Sequence, residues 1–405
     1  MKGDFSHVCV IGLGYVGLPM AAVLASRGVR VTGIDTNEQT VAAINRGEVP
    51  IVEPDLDIMV RGAVAAGMLN AAPRPTPADA FIIAVPTPFT DDLKPDISHV
   101  RAAAESLAGV LKKGDLVVVE STSPVGTTEG ISEYLAELRP DLTFPHAAGE
   151  AADIHVAHSP ERVLPGRVLL ELVRNDRVVG GVTPACAQMT AALYRMFVDG
   201  ECLLTSARTA ELVKLAENAY RDVNIAFANE LSLVCERLEI NVWDVVALAN
   251  RHPRVNILKP GPGVGGHCIA VDPWFIVDSA PNDTALIRAA RGVNAGKPRH
   301  VAAQVTAAAI KADAQAIACL GLSYKADIDD LRESPAVKIV EIIAAAFARR
   351  FGAGEGGQLR RDFGLVIFKE VLPRLGGLNQ IGQDISRPHR HLHIFGAGFE
   401  LSVPH

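Results

Sequence analysis

A glycine-rich turn near the start of the chain constrains its fold more than any other feature of the sequence. The short apolar run Val8–Ile11 leads into Gly12-Leu13-Gly14-Tyr15-Val16-Gly17, which fits the pattern G-x-G-x-x-G. In that pattern the first glycine permits a tight turn, the second lets a pyrophosphate approach the backbone, and the third lets the next helix pack on the strand. The N-terminus of that helix offers N–H groups and a positive dipole end to phosphates. The turn therefore predicts a strand–helix unit that binds a dinucleotide.

The residue that ends the second predicted strand indicates which dinucleotide is bound. Asp35 stands 18 residues after Gly17, where an acidic side chain accepts hydrogen bonds from a ribose diol. Thr36 and Asn37 follow it, so no arginine is placed there to receive a 2′-phosphate. We therefore predict NAD rather than NADP, with a plain turn residue at the strand end as the alternative interpretation of Asp35.

Short apolar runs alternate with helical patterns throughout the first half of the chain. This alternation predicts a parallel sheet covered by helices, the α/β class of Rossmann-type domains. From Thr205 to Leu238 the pattern is one long helix without Gly or Pro, and Ser206 is placed to cap its start. A new buried run at 316–321 opens a second α/β unit. The strand candidates of the first half are residues 8–11, 30–34, 81–85, 116–119, 154–157 and 177–180.

Length and these patterns together predict three domains. The chain has 405 residues, and about 150 residues per domain gives two or three. Phe227, Leu231 and Val234 recur along one face of the long helix, so we expect this helix to form a homodimer contact. The predicted domains are a Rossmann-type NAD-binding domain at 1–203, a central helical domain at 204–312 and a second Rossmann-like domain at 313–405.

Composition and charge exclude several classes of protein. Hydrophobic residues make up 49% and charged residues 21% of a chain whose net charge is −7, and no long basic stripe occurs. We therefore expect a folded protein that does not bind nucleic acid. No apolar run reaches the roughly eighteen residues of a membrane span, and the first residues lack the pattern of a signal peptide. The six cysteines are scattered without a C-x-x-C pair, so we expect no metal, no disulfide framework and a cytoplasmic location.

The composition changes abruptly near residue 349. The 57 residues 292–348 contain 16 alanines, whereas the 57 residues 349–405 contain two. The second segment is rich in glycine, and after about Phe347 it shows no clear strand–helix alternation. Its histidines at 389, 391 and 393 have no suitably spaced carboxylate or cysteine, so we interpret them as part of a solvated tail rather than a metal site. We therefore expect the last domain to be incomplete from about residue 349.

Two further segments carry candidate catalytic residues. Lys214, Asn218 and Arg221 lie at offsets of 0, 4 and 7, which places them on one face of the long helix, although a solvated stripe is the alternative interpretation. The segment 260–266 holds four glycines that expose backbone N–H groups to a ligand, and Cys268 and Asp272 follow it. Most single cysteines are inert and buried, but a glycine loop of this kind favours a nucleophilic role for Cys268.

Five motifs, in this order, resemble the UDP-glucose/GDP-mannose dehydrogenase family over about residues 7–347. Members of that family oxidise the C6 hydroxymethyl group of a nucleotide sugar to a carboxylate with two NAD. The resemblance implies the same activity here, a UDP-sugar substrate and a second dinucleotide-fold-like domain that helps to hold the UDP. The motifs are the Gly12–Pro19 turn, Ser159-Pro160-Glu161-Arg162, the Lys214/Asn218 helix, Gly265-Gly266-His267-Cys268 and Tyr324–Pro335.

The resemblance also implies roles for individual residues. Cys268 would be the nucleophile that forms a thioester, and Lys214 would be the acid–base group. Asn218 and Asp272 would place water or an oxyanion, and Glu161 would assist hydrolysis of the thioester. The nucleotide sugar would be held by Arg162, Val163, Lys214, Asn218, Arg221, His252, Arg254, Gly265, Tyr324 and Lys325. NAD would be contacted by Gly12, Gly14, Tyr15, Val16, Gly17, Asp35, Thr87, Thr128 and Arg332.

Two segments favour one branch of the family. The UDP-glucose branch usually has Pro-Lys before the aspartate that follows the cysteine, where this chain has Ala270-Val271. Residues 250–256 and 265–275 are instead similar to the branch that oxidises UDP-N-acetyl-D-mannosamine for surface polysaccharide. The alternatives are UDP-glucose or UDP-N-acetylglucosamine as substrate, a β-hydroxyacid dehydrogenase that oxidises once and needs no cysteine, and an inactive subunit disabled by its C-terminus.

Overall fold

A computed structural model gives the fold of most of the chain, which divides into two compact units. The first unit comprises residues 1–217 and 274–281, and the second comprises residues 218–273 and 282–405. Two helices, α9 (Ala207–Arg237) and α11 (Asp272–Ser279), run across the boundary. The residues that the structure describes are 5–51, 53–90, 92–164, 166–266, 268–314, 316–324, 331–351, 364–368 and 392–395.

The first unit is built on one eight-stranded sheet. Its strands are β1 (His7–Ile11), β2 (Arg30–Ile34), β3 (Leu69–Ala72), β4 (Ala80–Ile83), β5 (Leu116–Val119), β6 (His155–His158), β7 (Arg177–Gly181) and β8 (Cys202–Ser206). They lie in the order β3-β2-β1-β4-β5-β6-β7-β8. The helices of this unit, besides the two that cross the boundary, are α1 (Gly17–Ser26), α2 (Glu38–Asn45), α3 (Leu56–Ala65), α4 (Ser98–Ala108), α5 (Thr127–Leu138), α6 (Pro145–Ala148), α7 (Val168–Arg174) and α8 (Pro184–Tyr194).

The sheet is covered on both faces, which explains why its central strands are apolar throughout. Successive side chains of a strand point to opposite faces. Accordingly, Val8 and Val10 of β1 belong to one hydrophobic cluster, whereas Cys9 and Ile11 belong to another. Helices α1, α3, α7 and α8 supply the first cluster, and α4 and α5 supply the second. The predicted α/β architecture is therefore confirmed.

The sheet differs from the prediction in two respects. The six predicted strands of the first half are present, but β3 and β8 were not predicted. The sequence of β3, Leu-Asn-Ala-Ala, has little of the β-branched or aromatic character that marks a strand. The prediction of a wholly parallel sheet is wrong at one junction, because β7 pairs antiparallel with β6. This junction places the start of β7 beside the end of β6, where candidate catalytic residues lie.

The long helix begins where its sequence predicts. The Ser206 hydroxyl accepts a hydrogen bond from the backbone N–H of Thr209 at 3.2 Å, which is the geometry of an N-cap. The helix then runs for 31 residues as α9. Along it, Glu211, Leu215 and Ala219 are buried, so that one face of its first half packs into the protein.

The second unit contains the end of the chain. Its elements besides α9 and α11 are α10 (Val242–Ala249), α12 (Ala285–Lys311), β9 (Ala316–Leu320), α13 (Pro335–Phe351), β10 (Gly364–Phe368) and β11 (Leu392–Phe395). Strands β10 and β11 both pair parallel with β9. The sequence shows no clear strand–helix alternation after about residue 347, yet the structure has these two strands there. Of the predicted atypical tail, residues 352–363, 369–391 and 396–405 lie outside the described residues.

Candidate active site

The glycine turn after β1 has the conformation that its sequence predicts. Gly12 has a φ of +95°, and a Cβ atom there would lie 2.6 Å from the carbonyl oxygen of Ala84. A Cβ atom on Gly17, which opens α1, would lie 1.8 Å from the Gly12 oxygen, whereas one on Gly14 would meet nothing within 4 Å. The fold therefore requires the first and third glycines, and the second leaves open space beside the backbone, which suits the approach of a pyrophosphate.

Asp35, directly after β2, is fixed beside this turn. One carboxylate oxygen accepts a hydrogen bond from the backbone N–H of Leu13 at 3.1 Å, and the other accepts one from Asn37 at 2.9 Å. The side chain is half-buried, so the carboxylate keeps an accessible side. Because each carboxylate oxygen has two lone pairs, Asp35 can still accept hydrogen bonds from a ribose. The sequence did not predict the hydrogen bond to Leu13, and the contact of Asp35 with a ribose remains a prediction.

The two threonines predicted to contact NAD follow β4 and β5, Thr87 in a loop and Thr128 in the first turn of α5. The Thr87 hydroxyl donates to the carbonyl oxygen of Thr122 at 2.6 Å. Thr128 is completely buried, and its hydroxyl and backbone N–H donate to one oxygen of Glu211 at 2.6 and 2.8 Å. The Thr128 side chain therefore fixes the start of α5 to α9. Its contact with NAD remains a prediction.

The segment after β6 carries Glu161 and Arg162, and both side chains make charged hydrogen bonds. Arg177 donates to Oε2 of Glu161 at 2.7 Å, and the backbone N–H of Arg162 donates to Oε1 at 2.5 Å. The Arg162 guanidinium pairs with Glu217 of α9, with N···O distances of 2.6 and 3.1 Å. Glu217 stands one helical turn after Lys214. The pair therefore brings the Glu161 segment to the Lys214 turn of α9.

Next to Glu161, ionisable side chains are buried at the carboxyl edge of the sheet. Arg177 donates a second hydrogen bond to Oε1 of Glu120 at 2.8 Å. Burial raises the pKa of Glu120 to about 7, although the Arg177 charge opposes this. Burial also lowers the pKa of His158 to about 3, and the positive charge of Lys214 lowers it further. Lys214 and Glu161 therefore border the same buried cluster, in which His158 is neutral at neutral pH.

In the second unit, Asn218 and Asp272 meet as the sequence predicts. Nδ2 of Asn218 donates to Oδ2 of Asp272 at 2.5 Å. The backbone N–H of Asp272 donates to the carbonyl oxygen of Cys268 at 2.8 Å, so the turn that carries the thiol leads directly into α11. The Cys268 side chain is exposed, whereas the other five cysteines are buried. The structure therefore gives Cys268 the access that a nucleophile needs.

Tyr324 packs against the glycine loop that precedes this cysteine. A Cβ atom on Gly265 would lie 2.6 Å from the Cβ of Tyr324, and one on Gly266 would lie 2.7 Å from the Cζ of the ring. Gly266 also has a φ of +85°, which favours glycine. The loop therefore needs glycine at these two positions so that the tyrosine can approach.

Two of the loop's backbone N–H groups are used within the protein. Gly266 donates to the carbonyl oxygen of Arg332 at 3.0 Å, and Gly261 donates to Oδ1 of Asn229 at 2.8 Å. The prediction that the loop turns its N–H groups toward a ligand is wrong for these two. The fold uses them because a buried N–H without a partner is costly.

The remaining predicted residues differ in exposure, and their ligand contacts remain predictions. Lys325 lies outside the described residues. The half-buried residues are Val16, Val163 and Lys214, and the exposed residues are Tyr15, Arg221, His252, Arg254 and Arg332.

Three domain models of one protein family match this chain in order. The NAD-binding domain matches residues 6–198, the central domain residues 208–296 and the UDP-binding domain residues 318–350. All three describe the UDP-glucose/GDP-mannose dehydrogenase family. This chain belongs to that family. It is accordingly a dehydrogenase with NAD as its cofactor, and the turn at Gly12–Gly17 with Asp35 fits that cofactor.

Individual family members are similar over most of the chain. An NDP-N-acetyl-D-galactosaminuronic acid dehydrogenase of Ralstonia nicotianae is 62% identical, over 84% of this chain and 80% of its own. A UDP-N-acetyl-D-mannosamine dehydrogenase of Yersinia pestis is 60% identical, over 84% of this chain and 83% of its own. The solved structure of a UDP-D-ManNAc dehydrogenase from Pyrococcus horikoshii is 43% identical over 84% of this chain and 81% of its own, with a TM-score of 0.79.

Membership of the family decides between two predicted classes of enzyme. A β-hydroxyacid dehydrogenase is set aside, because both the central and the UDP-binding domain models match. The match to the UDP-binding domain ends at residue 350, where the composition of the chain changes. The three predicted domain ranges remain predictions, since the two compact units meet inside α9 rather than at a domain boundary.

Sequence reasoning missed several residues that hold the site in place. Glu120 and Arg177 fix Glu161, Glu211 fixes the start of α5, and Asn229 fixes the start of the glycine loop. A charged residue directly at the end or the start of an apolar strand, as Glu120 and Arg177 are, was the available signal.

Among the described residues, no three or more His, Cys, Asp or Glu side chains are grouped so as to hold a metal ion. No helix in the described part of the chain is both long and apolar enough to cross a membrane.

Proposed function

We propose that this chain oxidises the C6 hydroxyl of UDP-N-acetyl-D-mannosamine to the carboxylate of UDP-N-acetyl-D-mannosaminuronic acid, through a thioester on Cys268. The observation that carries the proposal is an exposed cysteine whose turn is hydrogen-bonded to Asp272, which in turn accepts from Asn218. Relatives about 60% identical are named for this substrate. The product would serve surface polysaccharide synthesis.

The first oxidation converts the alcohol to an aldehyde. Lys214 accepts the hydroxyl proton as the C6 hydrogen leaves as hydride. NAD, when bound, accepts one hydride in each of the two oxidations. Asn218 lies one helical turn after Lys214 on α9, and its amide donates to the oxygen on which charge develops.

The second oxidation and the hydrolysis require the cysteine. The Cys268 thiolate adds to the aldehyde carbon, and loss of hydride from the adduct gives a thioester. Water then attacks the thioester carbon, the C–S bond breaks, and one proton of the water passes to Glu161. The carboxylic acid formed loses the second proton to solvent. Asp272 orients Asn218 through their hydrogen bond of 2.5 Å. The products are the carboxylate and a regenerated thiolate.

We assign binding of the nucleotide sugar to the side chains that the family resemblance implies. The exposed Arg221, His252 and Arg254 are available to phosphate and sugar oxygens. Arg162, Val163, Gly265, Tyr324 and Lys325 complete the proposed substrate set. Because the family's UDP-binding domain model matches only as far as residue 350, we expect weaker binding of the UDP-sugar than of NAD. Separate titrations with each, and limited proteolysis of the C-terminal segment, test this expectation.

The test of the proposed function is turnover with a panel of UDP-sugars. We expect two NADH per molecule of UDP-N-acetyl-D-mannosamine. The panel includes UDP-N-acetylgalactosamine, because relatives 61–62% identical carry an N-acetylgalactosaminuronic acid name, together with UDP-glucose and UDP-N-acetylglucosamine. A preference for another sugar would correct the substrate, and absence of NADH with every sugar would support an inactive subunit.

The role of the cysteine is tested in the same assay. Cys268→Ala is expected to abolish acid formation while NAD still binds, and Cys235→Ala, which alters a buried cysteine in α9, is the matched control. Acid formation near the wild-type rate in Cys268→Ala would contradict the thioester mechanism.

We also propose that the protein is a homodimer, joined through α9, and that it acts in the cytoplasm. Tyr220, Phe227, Leu231, Val234 and Leu238 follow a heptad spacing along this helix. Phe227 is 57% exposed and Tyr220 73% exposed, so the described residues of one chain leave these two side chains of the apolar seam uncovered. Light scattering at micromolar concentration should give the mass of a dimer, and Phe227→Glu should shift it to a monomer. Thiols that form no disulfide with one another fit a reducing compartment.

A further inference from the structure

One buried arginine side chain holds the carboxylate of the proposed hydrolytic base, Glu161. Arg177 donates to Oε2 of Glu161 at 2.7 Å with one arm of its guanidinium. With the other arm it donates to Glu120 at 2.8 Å. The Arg177 and Glu120 side chains are only 4% and 0% exposed. A single buried guanidinium therefore bridges two carboxylates.

The strand register explains why these residues meet. Val119, the last residue of β5, lies opposite His158, the last residue of β6, so Glu120 directly follows its strand at the same edge of the sheet. His158 lies opposite Gly180 of the antiparallel strand β7. Continuing this register by three residues brings Arg177, the first residue of β7, opposite Glu161. The antiparallel pairing of β6 with β7 thus places the Arg177 guanidinium beside the end of β6.

Arg177 has little freedom to leave this position. Its guanidinium carbon lies 4.8 Å from the centroid of the Tyr194 ring, and Tyr194 is itself completely buried. Stacking on an aromatic ring and a forked pair of charged hydrogen bonds both restrict a guanidinium to one plane. The orientation of Arg177 therefore fixes the orientation of the Glu161 carboxylate.

We propose that Arg177 is a positioning residue for thioester hydrolysis, holding the Glu161 carboxylate in the orientation in which it accepts the proton of the attacking water. Glu120 anchors the second arm of the guanidinium and keeps Arg177 from rotating. This inference rests on the proposed function, since it needs a thioester on Cys268. It concerns only the last step, in which the water oxygen bonds to the acyl carbon, the C–S bond breaks, one water proton moves to Glu161 and the other is lost to solvent.

The structure also offers a comparison residue for the test. Arg291 is a buried arginine of the second unit that pairs with Asp222 at 2.7 Å, and its side chain is 8% exposed. In both variants, Arg291→Lys and Arg177→Lys, the planar guanidinium of a buried ion pair is replaced by a single ammonium group. They should cost similar stability, but only Arg177→Lys touches the proposed base.

The experiment uses the full-length enzyme at saturating NAD and sugar. Arg177→Lys is expected to release two NADH per site in a fast burst, followed by steady turnover about tenfold to hundredfold slower than wild type, because misplacing a catalytic group by about 1 Å has an effect of this size. An acyl adduct on Cys268 should accumulate and be visible in the mass of the denatured protein. Arg291→Lys should show neither the burst nor the adduct. Arg177→Gln, which removes the charge, should accumulate the adduct as well.

A double-variant cycle separates positioning from a general loss of structure. If Arg177 acts through Glu161, the double variant Arg177→Lys/Glu161→Gln should be no slower than Glu161→Gln alone. The proposal would be overturned if the effects of the two single variants multiplied in the double variant. It would also be overturned if both oxidations slowed in parallel without an adduct. If Arg177→Gln does not fold, as judged by NAD binding, Arg177→Lys decides alone. Failure of the wild type to form any NADH would instead refute the proposed function.

Discussion

Two buried polar clusters, one in each unit, are built from similar residues but balance their charges differently. The strand-edge cluster of the first unit consists of Glu120, His158, Glu161 and Arg177. The helix cluster of the second unit consists of Asp222, Asn229, Arg291 and Asn294. The strand-edge cluster contains one guanidinium, two carboxylates and a neutral imidazole. The helix cluster contains one guanidinium and one carboxylate.

This difference in balance corresponds to a difference in what the clusters do. In the helix cluster, hydrogen bonds run from Arg291 to Asp222, and through Asn294 and Asn229 to the backbone of Gly261. It joins α9, α12 and the glycine loop without an excess charge. In the strand-edge cluster the second carboxylate has no cation of its own, and burial raises the pKa of Glu120 to about 7. We infer that the helix cluster, whose charges balance, holds the backbone in place. The strand-edge cluster, which has one carboxylate in excess, lies where protons are exchanged.

The largest expected effect is on the stability of the balanced cluster. Asp222→Ala leaves the buried guanidinium of Arg291 without its carboxylate, which should lower the free energy of unfolding by about 3–5 kcal/mol. The double variant Asp222→Ala/Arg291→Met removes both charges and should recover most of that loss. Denaturant unfolding at pH 7 with NAD absent measures both. If the double variant is no more stable than the single one, the pairing of these two charges does not explain the cluster.

The contrast also shows how far the sequence could predict this molecule. The glycine turn, Asp35 and the central strands were predictable because each depends on neighbouring residues and on local hydrophobic pattern. Cys268, Asp272 and Asn218 could be proposed as site residues because their spacing and motifs are local as well, and their roles remain predictions. The strand-edge cluster was not predictable in this way, because Arg177 meets Glu120 only through the register of β5, β6 and β7.

The same reasoning accounts for the errors in the fold. A run such as Leu-Asn-Ala-Ala in β3 becomes a strand because β2 beside it offers a hydrogen-bonding edge, which the run itself does not reveal. The antiparallel direction of β7 depends on the path of the chain through α7, not on the composition of the strand. In the tail, β10 and β11 pair with the predicted strand β9. A strand with a partner can form where local alternation is weak.

The second effect is a pH dependence in the strand-edge cluster, where two buried groups oppose each other. Glu120 has a pKa of about 7 instead of 4.5, so its contribution to stability is complete below pH 4.5 and is lost as the pH rises through 7. His158 has a pKa of about 3 instead of 6.5, so its contribution is complete above pH 6.5 and is lost as the pH falls toward 3. Between pH 4.5 and 6.5 the contribution of Glu120 to stability falls with pH while that of His158 rises. The free energy of unfolding should therefore change little over this range.

Two variants separate these opposing contributions. In Glu120→Gln the His158 slope remains, and stability should rise with pH up to 6.5. In His158→Asn the Glu120 slope remains, and stability should fall between pH 4.5 and 7. Each change is expected to be on the order of 2 kcal/mol over its window. Thermal unfolding followed by circular dichroism from pH 4 to 8 measures it, and identical pH profiles for the two variants would contradict the assignment.

A smaller effect tests whether the helix cluster fixes the glycine loop. Asn229→Ala leaves the N–H of Gly261 and Oδ1 of Asn294 without their partner, which should cost about 1–2 kcal/mol. The loop should loosen, so that the exposed thiol of Cys268 is alkylated faster by iodoacetamide. Asn224→Ala on the same helix, whose side chain bonds only to the backbone of its own turn at Tyr220, is the control. Equal alkylation rates in the two variants would show that Asn229 does not hold the glycine loop in place.

The smallest effect concerns the accessible carboxylate at the same sheet edge as Glu120. Asp35 is half-buried and already accepts hydrogen bonds from Leu13 and Asn37, so the fold holds it but leaves it a side for the ribose. Its negative charge repels a 2′-phosphate, whereas a ribose 2′-hydroxyl donates to it. Asp35→Ala should therefore weaken NAD and narrow its preference over NADP by about tenfold, which is about 1.4 kcal/mol. Asp35→Asn separates the two causes, since it removes the charge and keeps an acceptor for the Leu13 N–H. The measurement is kcat/KM for NAD and NADP with the preferred UDP-sugar, and an unchanged preference in both variants would show that Asp35 serves the turn alone.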